Sequence, residues 1–292
     1  MATNVDNWMK LDRNLLLRID RFKGSSQSAF VACDFDGTLS PIVEVPENAY
    51  LDEQVFEVFV ACCKGFSKLA VVSGRRCNFL FEKIFPKYNQ LNSPPPIELF
   101  GLYGLEHQIL GDKKSPEDTY PLISKDELLA MEALIDQVAL EAFNFAELEN
   151  LIGVVEKKRY MLTLHWRRQL QAKESIEAFA QKVASTYNLE LHYGKANVEL
   201  RPPGLPSKAN VVQWLAQDLD GGCYIGDDMG DIAAFSELRT IKNSKTKPDF
   251  QALTVAIRSD ETPSQLMDEA DIVLDGPAEL IEFFKLIGQV NQ

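Results

Sequence analysis

Residues 30–41 read FVACDFDGTLSP, an apolar run closed by two aspartates one residue apart, with a glycine and a threonine directly behind them. Desolvation in a buried strand penalises each carboxylate, so two like charges at its end mark either a solvated turn or a site. The flanking sequence decides between them.

Alternation surrounds this stretch. The apolar residues 29–33 predict a strand, 52–63 a helix, and 68–72 a second strand ended by Ser73, Gly74 and Arg75. A helix over 76–85, a loop at NSPPP and a strand over 97–102 continue the order of an α/β sheet. Upstream, Leu11, Leu15, Leu16 and Ile19 at helical spacing and then GSSQS give a leading helix and a linker over 1–24. Between about 108 and 201 the rhythm changes. A helix over 126–149 precedes strand-like runs at 151–156 and 160–166, and a helix over 170–187 precedes runs at 189–193 and 196–200. This αββ pattern, twice over, predicts an α+β insert with an antiparallel sheet. Beyond Pro202, Pro203 and Gly204 the alternation resumes, with a helix from Lys208 and strands at 223–225, 255–258 and 271–274. The expected organisation is an α/β core split in sequence, 25–108 and 202–292, with an inserted domain at 109–201.

Composition excludes several classes. The 292 residues carry a formal net charge of −13, with 25% charged and 46% hydrophobic residues, which fits a globular protein and argues against a nucleic-acid partner. No apolar run approaches the roughly 18 residues of a membrane span. The first residues, MATNVDNWMKLDRNLLLRID, lack the apolar stretch of a signal peptide. Five cysteines without a C-x-x-C pair fit free thiols in a reducing compartment, so a cytoplasmic monomer without membrane contact is expected.

Four features recur in the α/β part at strand ends or a helix start, the edge where parallel sheets hold ligands. They are Asp34-Phe35-Asp36-Gly37-Thr38, Ser73-Gly74-Arg75, Lys208, and Gly226-Asp227-Asp228 with Asp231. Hydrolysis of a phosphate ester needs a nucleophile, a proton for the leaving oxygen and cations for the phosphoryl oxygens. Asp34 can attack phosphorus, and Asp36 can protonate the leaving alkoxide and then activate water. Mg2+ takes hard oxygen ligands, here Asp34, the backbone carbonyl of Asp36 and Asp227, with Asp228 or Asp231 completing or orienting the set. Ser73 and Lys208 would hold the phosphoryl oxygens, Gly37 admits close backbone approach, and Thr38 can donate a hydrogen bond. Taken singly, each feature also reads as a turn, a surface lysine or an acidic loop.

Together the motifs DFDGT, the Ser73 region with Gly74, Lys208 and GDDMGD resemble the haloacid-dehalogenase-type phosphohydrolases. The resemblance implies a Rossmann-like core with an inserted α+β cap domain, magnesium dependence and an aspartyl-phosphate intermediate. A finer likeness is to the trehalose-6-phosphate phosphatases, over about residues 30–235. DFDGTLSPI, GLYGLEH at 101–107, Val155-Glu156-Lys157-Lys158, His165-Trp166-Arg167, and Gly194-Lys195 with Glu199 and Arg201 are similar to elements of that family. By this resemblance Glu156, Lys158, Arg167, Lys195 and Glu199 would grip the distal glucose of a sugar phosphate. Arg75, His165 and Arg201 join the substrate-binding set. Strand periodicity agrees, since Glu156 and Lys158 share one face, as do Thr163, His165 and Arg167. A polar, solvated sheet face has the same pattern. The chain departs from the family's GDDxTDED, reading GDDMGDIA at 226–233. Two alternatives stand beside the leading reading: a phosphatase for another glycoside phosphate, such as sucrose phosphate or glucosylglycerol phosphate, and a catalytically impaired sugar-phosphate-binding regulator.

Overall fold

The computed structural model describes residues 13–43, 45–111, 123–194 and 196–288. The chain forms two compact units, one from residues up to 120 together with those from 206 onward, the other from 121–205. Leu11 lies outside the described residues; Leu15, Leu16 and Ile19 fall in α1 (Arg13–Gly24).

In the larger unit the chain runs through β1 (Ala29–Cys33), α2 (Glu53–Cys63), β2 (Lys68–Val72), α3 (Cys77–Tyr88), β3 (Ile97–Gly101) and β4 (Glu106–Leu110). The smaller unit holds α4 (Lys125–Leu148), β5 (Val155–Lys157), β6 (Leu162–His165), α5 (Lys173–Tyr187), β7 (Glu190–Tyr193) and β8 (Asn197–Arg201). The larger unit resumes with α6 (Lys208–Leu215), β9 (Gly221–Gly226), α7 (Asp231–Lys242), β10 (Gln251–Ile257), α8 (Ser264–Glu269), β11 (Ile272–Leu274) and α9 (Pro277–Ile287). Asp52 caps α2, accepting from the N–H groups of Gln54 and Val55 at 3.1 Å each. Ser124 with Glu127, and Ser207 with Asn210, form capping boxes for α4 and α6.

Seven strands make the sheet of the larger unit, in the order β11-β10-β9-β1-β2-β3-β4, parallel except for β3 with β4. All five residues of β1 are buried, because helices cover both faces of a parallel sheet. One face packs Val31, Val71 and Ile225 against α1, α2, α3 and α9; the other packs Phe30, Val72 and Tyr224 against α6, α7 and α8. This is a Rossmann-like α/β core. Successive strands run outward to one side from β1 and to the other side from β9, so the chain reverses direction between these two neighbours. Crevices at the carboxyl ends of such strands hold ligands. With Cys33 level with Ile225, the loops after β1 and β9 emerge side by side.

While β4, whose end reaches into the insert expected over 109–201, belongs to the larger unit, the smaller unit, 121–205, has the αββ-αββ order that the sequence predicts for that insert. Its antiparallel sheet, β5-β6-β8-β7, buries Leu162, Leu164, Val198 and Leu200 against α4 and α5. Glu156, Thr163, His165, Asn197 and Glu199 alternate onto the opposite face.

Several predicted elements shift. The run at 151–156 becomes a short β5, because Asn150 and Gly153 turn with φ of 54° and 66° before the chain can extend. The helix expected over 170–187 opens with a 3-10 turn, Leu170–Ala172, ahead of α5. The strand expected over 97–102 ends at Gly101, and β4, antiparallel to it, was not anticipated. Strand β10 begins four residues before the predicted 255. Among the described residues no helix is long and apolar enough to cross a membrane.

Candidate active site

Asp34 directly follows β1, and its N–H extends the ladder by donating to Ile225 O at 2.8 Å. Beyond it the chain folds into a tight turn in which Leu39 N and Ser40 N both donate to Phe35 O, at 3.0 and 2.8 Å. Gly37 sits at φ 77°, and a side chain there would overlap the Asp227 carboxylate. Only glycine lets the loops after β1 and β9 approach this closely. Asp34 is buried, 4% exposed, whereas the side chain of Asp36 is 37% exposed and can meet solvent or a leaving group.

Lys208 opens α6, a position where the helix dipole disfavours a cation. Its compensation is local: Nζ lies 2.7 Å from Asp231 Oδ1, 3.0 Å from Asp34 Oδ2 and 3.5 Å from Asp228 Oδ1. Burial opposes the charge, but these carboxylates raise the lysine well above its ordinary range, so it remains an ammonium. Asp231, fully buried at the start of α7, accepts from Asp227 N and Asp228 N at 3.0 Å each through its second oxygen. Asp228 faces the backbone instead, accepting from Gly230 N at 2.8 Å and Asp231 N at 3.2 Å.

One oxygen from each of Asp34, Asp227 and Asp231 lies within 4.8 Å of the other two. Burial pushes Asp34 upward, Lys208 pulls it down, and the neighbouring aspartates raise it again, leaving it well above the usual carboxylate range. Asp227 is raised by burial and then by Asp231 and Asp228. Burial and Asp228 lift Asp231 to about 6 against the pull of Lys208. Burial would also raise Asp228, but Lys208 and the N–H groups it caps hold it below its ordinary value. Within this group Lys208 faces more negative charge than it can neutralise. Asp227 Oδ1 is buried with no hydrogen-bond partner, as is Thr38 Oγ1. Hard oxygen donors in a buried cluster with an unsatisfied acceptor fit a divalent cation. Both oxygens of Asp231 are engaged, and those of Asp34 accept from Phe35 N at 2.7 Å and face Lys208 Nζ at 3.0 Å, so the unpartnered acceptor of the cluster is Asp227 Oδ1.

Ser73 is buried, and its Oγ accepts from Arg75 N at 3.1 Å. The Arg75 guanidinium forks onto Asp36, Nε to Oδ2 at 2.8 Å and Nη2 to Oδ1 at 3.1 Å, and stacks over the Phe79 ring at 4.9 Å. Sequence reading put Arg75 at the substrate and missed this pairing, since the partners stand 39 residues apart.

In the smaller unit Glu199 organises the polar face. It accepts from Lys158 Nζ at 2.6 Å, Thr163 Oγ1 at 3.0 Å and Arg201 Nε at 2.5 Å. Burial would raise its pKa, but Lys158 and Arg201 lower it to about 2. His165 pairs with Glu156 at 2.9 Å on the same face. Arg167 lies in a turn beyond β6, exposed, and Lys195 lies outside the described residues.

A buried carboxylate cluster at the reversal point of a parallel sheet, with a lysine locked among the carboxylates, is the arrangement that the resemblance to the haloacid-dehalogenase-type phosphohydrolases implies. The fold agrees: a haloacid dehalogenase-like hydrolase from B. subtilis superposes with a TM-score of 0.53 at 14% identity, over 88% of this chain and 98% of that one. A family model described as Trehalose-phosphatase matches residues 32–269, and the chain belongs to that family, a family of phosphatases. It is 26% identical over 297 residues to "Trehalose 6-phosphate phosphatase RA3" of Zea mays, covering 96% of this chain and 75% of the maize protein. The C-terminal domain of C. albicans trehalose-6-phosphate phosphatase superposes with a TM-score of 0.64 at 22% identity, over 94% of this chain and 96% of that domain. The chain spans 78% of the length of an Oryza sativa relative, "Probable trehalose-phosphate phosphatase 3", but 15% of that of a Mycobacterium tuberculosis relative.

Proposed function

We propose that the protein hydrolyses trehalose 6-phosphate to trehalose and inorganic phosphate, with Mg2+ as cofactor. The observation that carries this reading is the buried group of Asp34, Asp227, Asp231 and Lys208, found in a chain of the trehalose-phosphatase family. Mg2+ held by the Asp34 and Asp227 carboxylates and the Asp36 carbonyl would supply positive charge for the phosphoryl oxygens.

The chain's own residues divide the remaining work. Asp34 forms a bond to phosphorus as the bond to the sugar oxygen breaks, giving an aspartyl phosphate. Asp36, solvent-accessible and paired with Arg75 as a carboxylate, first takes a proton from solvent and then gives it to that oxygen. It then takes a proton from the water that attacks the same phosphorus and frees Asp34. Lys208 contacts phosphoryl oxygens as a point charge, while Thr38 Oγ1 and Ser73 Oγ donate hydrogen bonds to them. The unpartnered, buried hydroxyl of Thr38 supports that assignment. Sugar recognition falls to the polar face of the smaller unit, where Lys158 and Arg201 are fixed by Glu199, and Glu156 by His165.

Phosphate release across a panel of sugar phosphates, with and without Mg2+, tests the substrate. Trehalose 6-phosphate is expected to give the highest kcat/KM. Preference for sucrose phosphate, glucosylglycerol phosphate or another glycoside phosphate would replace it.

A further inference from the structure

Leu102 and Tyr103 both hold left-handed backbone, with φ of 48° and 60°. Large side chains adopt this conformation only where their surroundings impose it. Three backbone hydrogen bonds do so by tying the turn to the Ser73-Gly74-Arg75 loop. Leu102 N donates to Arg75 O at 2.8 Å, Tyr103 N to Ser73 O at 3.0 Å, and Ser73 N to Phe100 O at 2.9 Å. The Tyr103 ring covers Gly74 so closely that a Cβ there would stand 2.7 Å from the phenol oxygen and 2.8 Å from Cζ. A side chain at residue 74 would therefore force the ring out of this position.

The next residues fasten the other end of the loop. Glu106 accepts from Cys77 N at 2.8 Å and from Arg76 Nε at 3.3 Å, fixing the start of α3. The turn also packs against α6, which carries Lys208. Between these anchors, Arg75 N holds Ser73 Oγ as an acceptor, leaving the hydroxyl proton to donate elsewhere, and the Arg75 fork holds Asp36.

We propose that Tyr103 is a positioning residue for acid–base catalysis: its ring clamps Gly74, so that Arg75 presents Asp36 and Ser73 keeps its proton for a phosphoryl oxygen. This rests on the phosphatase reading above. A loop displaced by an ångström costs turnover more than binding, because the misplaced groups act on the reacting atoms.

The test measures kcat and KM for trehalose 6-phosphate and for p-nitrophenyl phosphate in the wild type, Tyr103→Ala, Tyr103→Phe, Gly74→Ala and the Tyr103→Ala/Gly74→Ala double variant. Tyr103→Ala is expected to lower kcat by about 10- to 100-fold on both substrates while KM stays within about threefold. Tyr103→Phe, which keeps the ring, retains most of the activity. Gly74→Ala loses activity by collision, and the double variant is no worse than either single one, since the new methyl group enters the space the ring vacated. Unchanged kcat in Tyr103→Ala, or losses that multiply in the double variant, would overturn the clamp. If Tyr103→Ala does not fold, Tyr103→Asn, which tolerates positive φ, takes its place with the same expectation. A wild type active only on p-nitrophenyl phosphate would sink the substrate reading and leave the clamp decided on that ester.

Discussion

Asp34, the nucleophile of the proposed reaction, carries a charge that the fold opposes. Its pKa is raised by burial and by neighbouring aspartates beyond what Lys208 offsets, so at neutral pH the metal-free native state bears the strain of its ionisation. Asp34→Asn is therefore expected to abolish phosphate release while keeping or raising the melting temperature of the metal-free protein; a lower melting temperature would contradict the electrostatic account. Glu199 runs the other way. Its folded pKa is depressed from 4.5 to about 2 by Lys158 and Arg201 against burial. The stability this contributes is fully present above the unfolded pKa and is lost as pH falls from about 4.5 toward 2, on the order of 3 kcal/mol. Trp166, buried in the smaller unit, reports that loss by fluorescence. Glu199→Gln is expected to flatten the pH dependence between those values, and an unchanged acid profile would refute the assignment.

At the scale of elements, β1 was legible because a fully buried parallel strand is a continuous apolar run, and the carboxylates had to follow at its end. The repeated αββ order was legible from helical periodicity and paired strand runs. β4 was not, because GLEHQIL mixes polar and apolar residues, and its antiparallel pairing depends on a left-handed turn built without glycine at Leu102 and Tyr103. The Arg75–Asp36 pair escaped for a related reason: its partners sit on loops after different strands, and no local pattern links them. Packing between α2 and α9 rests on aromatic contacts, with the Phe59 and Phe284 rings 5.2 Å apart and both fully buried. Phe284→Ala is expected to cost about 3–5 kcal/mol in denaturant unfolding. A loss below about 1 kcal/mol would mean the helix pair repacks without it.

For the whole molecule, the order of the sheet turns separated motifs into one site. Residues 34 and 227 come together because β1 and β9 are neighbours at the point where the chain reverses, a fact of topology that no single motif contains. The motif set announced the chemistry; the roles within it needed coordinates. Asp228 accepts from the N–H groups of Gly230 and Asp231 at the start of α7, and Asp231 secures Lys208. Chelation of divalent cations is expected to abolish turnover, and added Mg2+ to restore it, since Lys208 is outnumbered by the carboxylates around it. Persistence of activity in chelator would remove the metal from the account.

The central claim is that Asp34 carries the phosphoryl group of trehalose 6-phosphate during turnover. Rapid acid quench of the protein with Mg2+ and trehalose 6-phosphate, followed by peptide mass spectrometry, tests it most directly. One added phosphoryl group is expected on the peptide containing Asp34, rising before phosphate appears and absent in Asp34→Asn. Phosphate release with no such adduct, or an adduct on another residue, would contradict it.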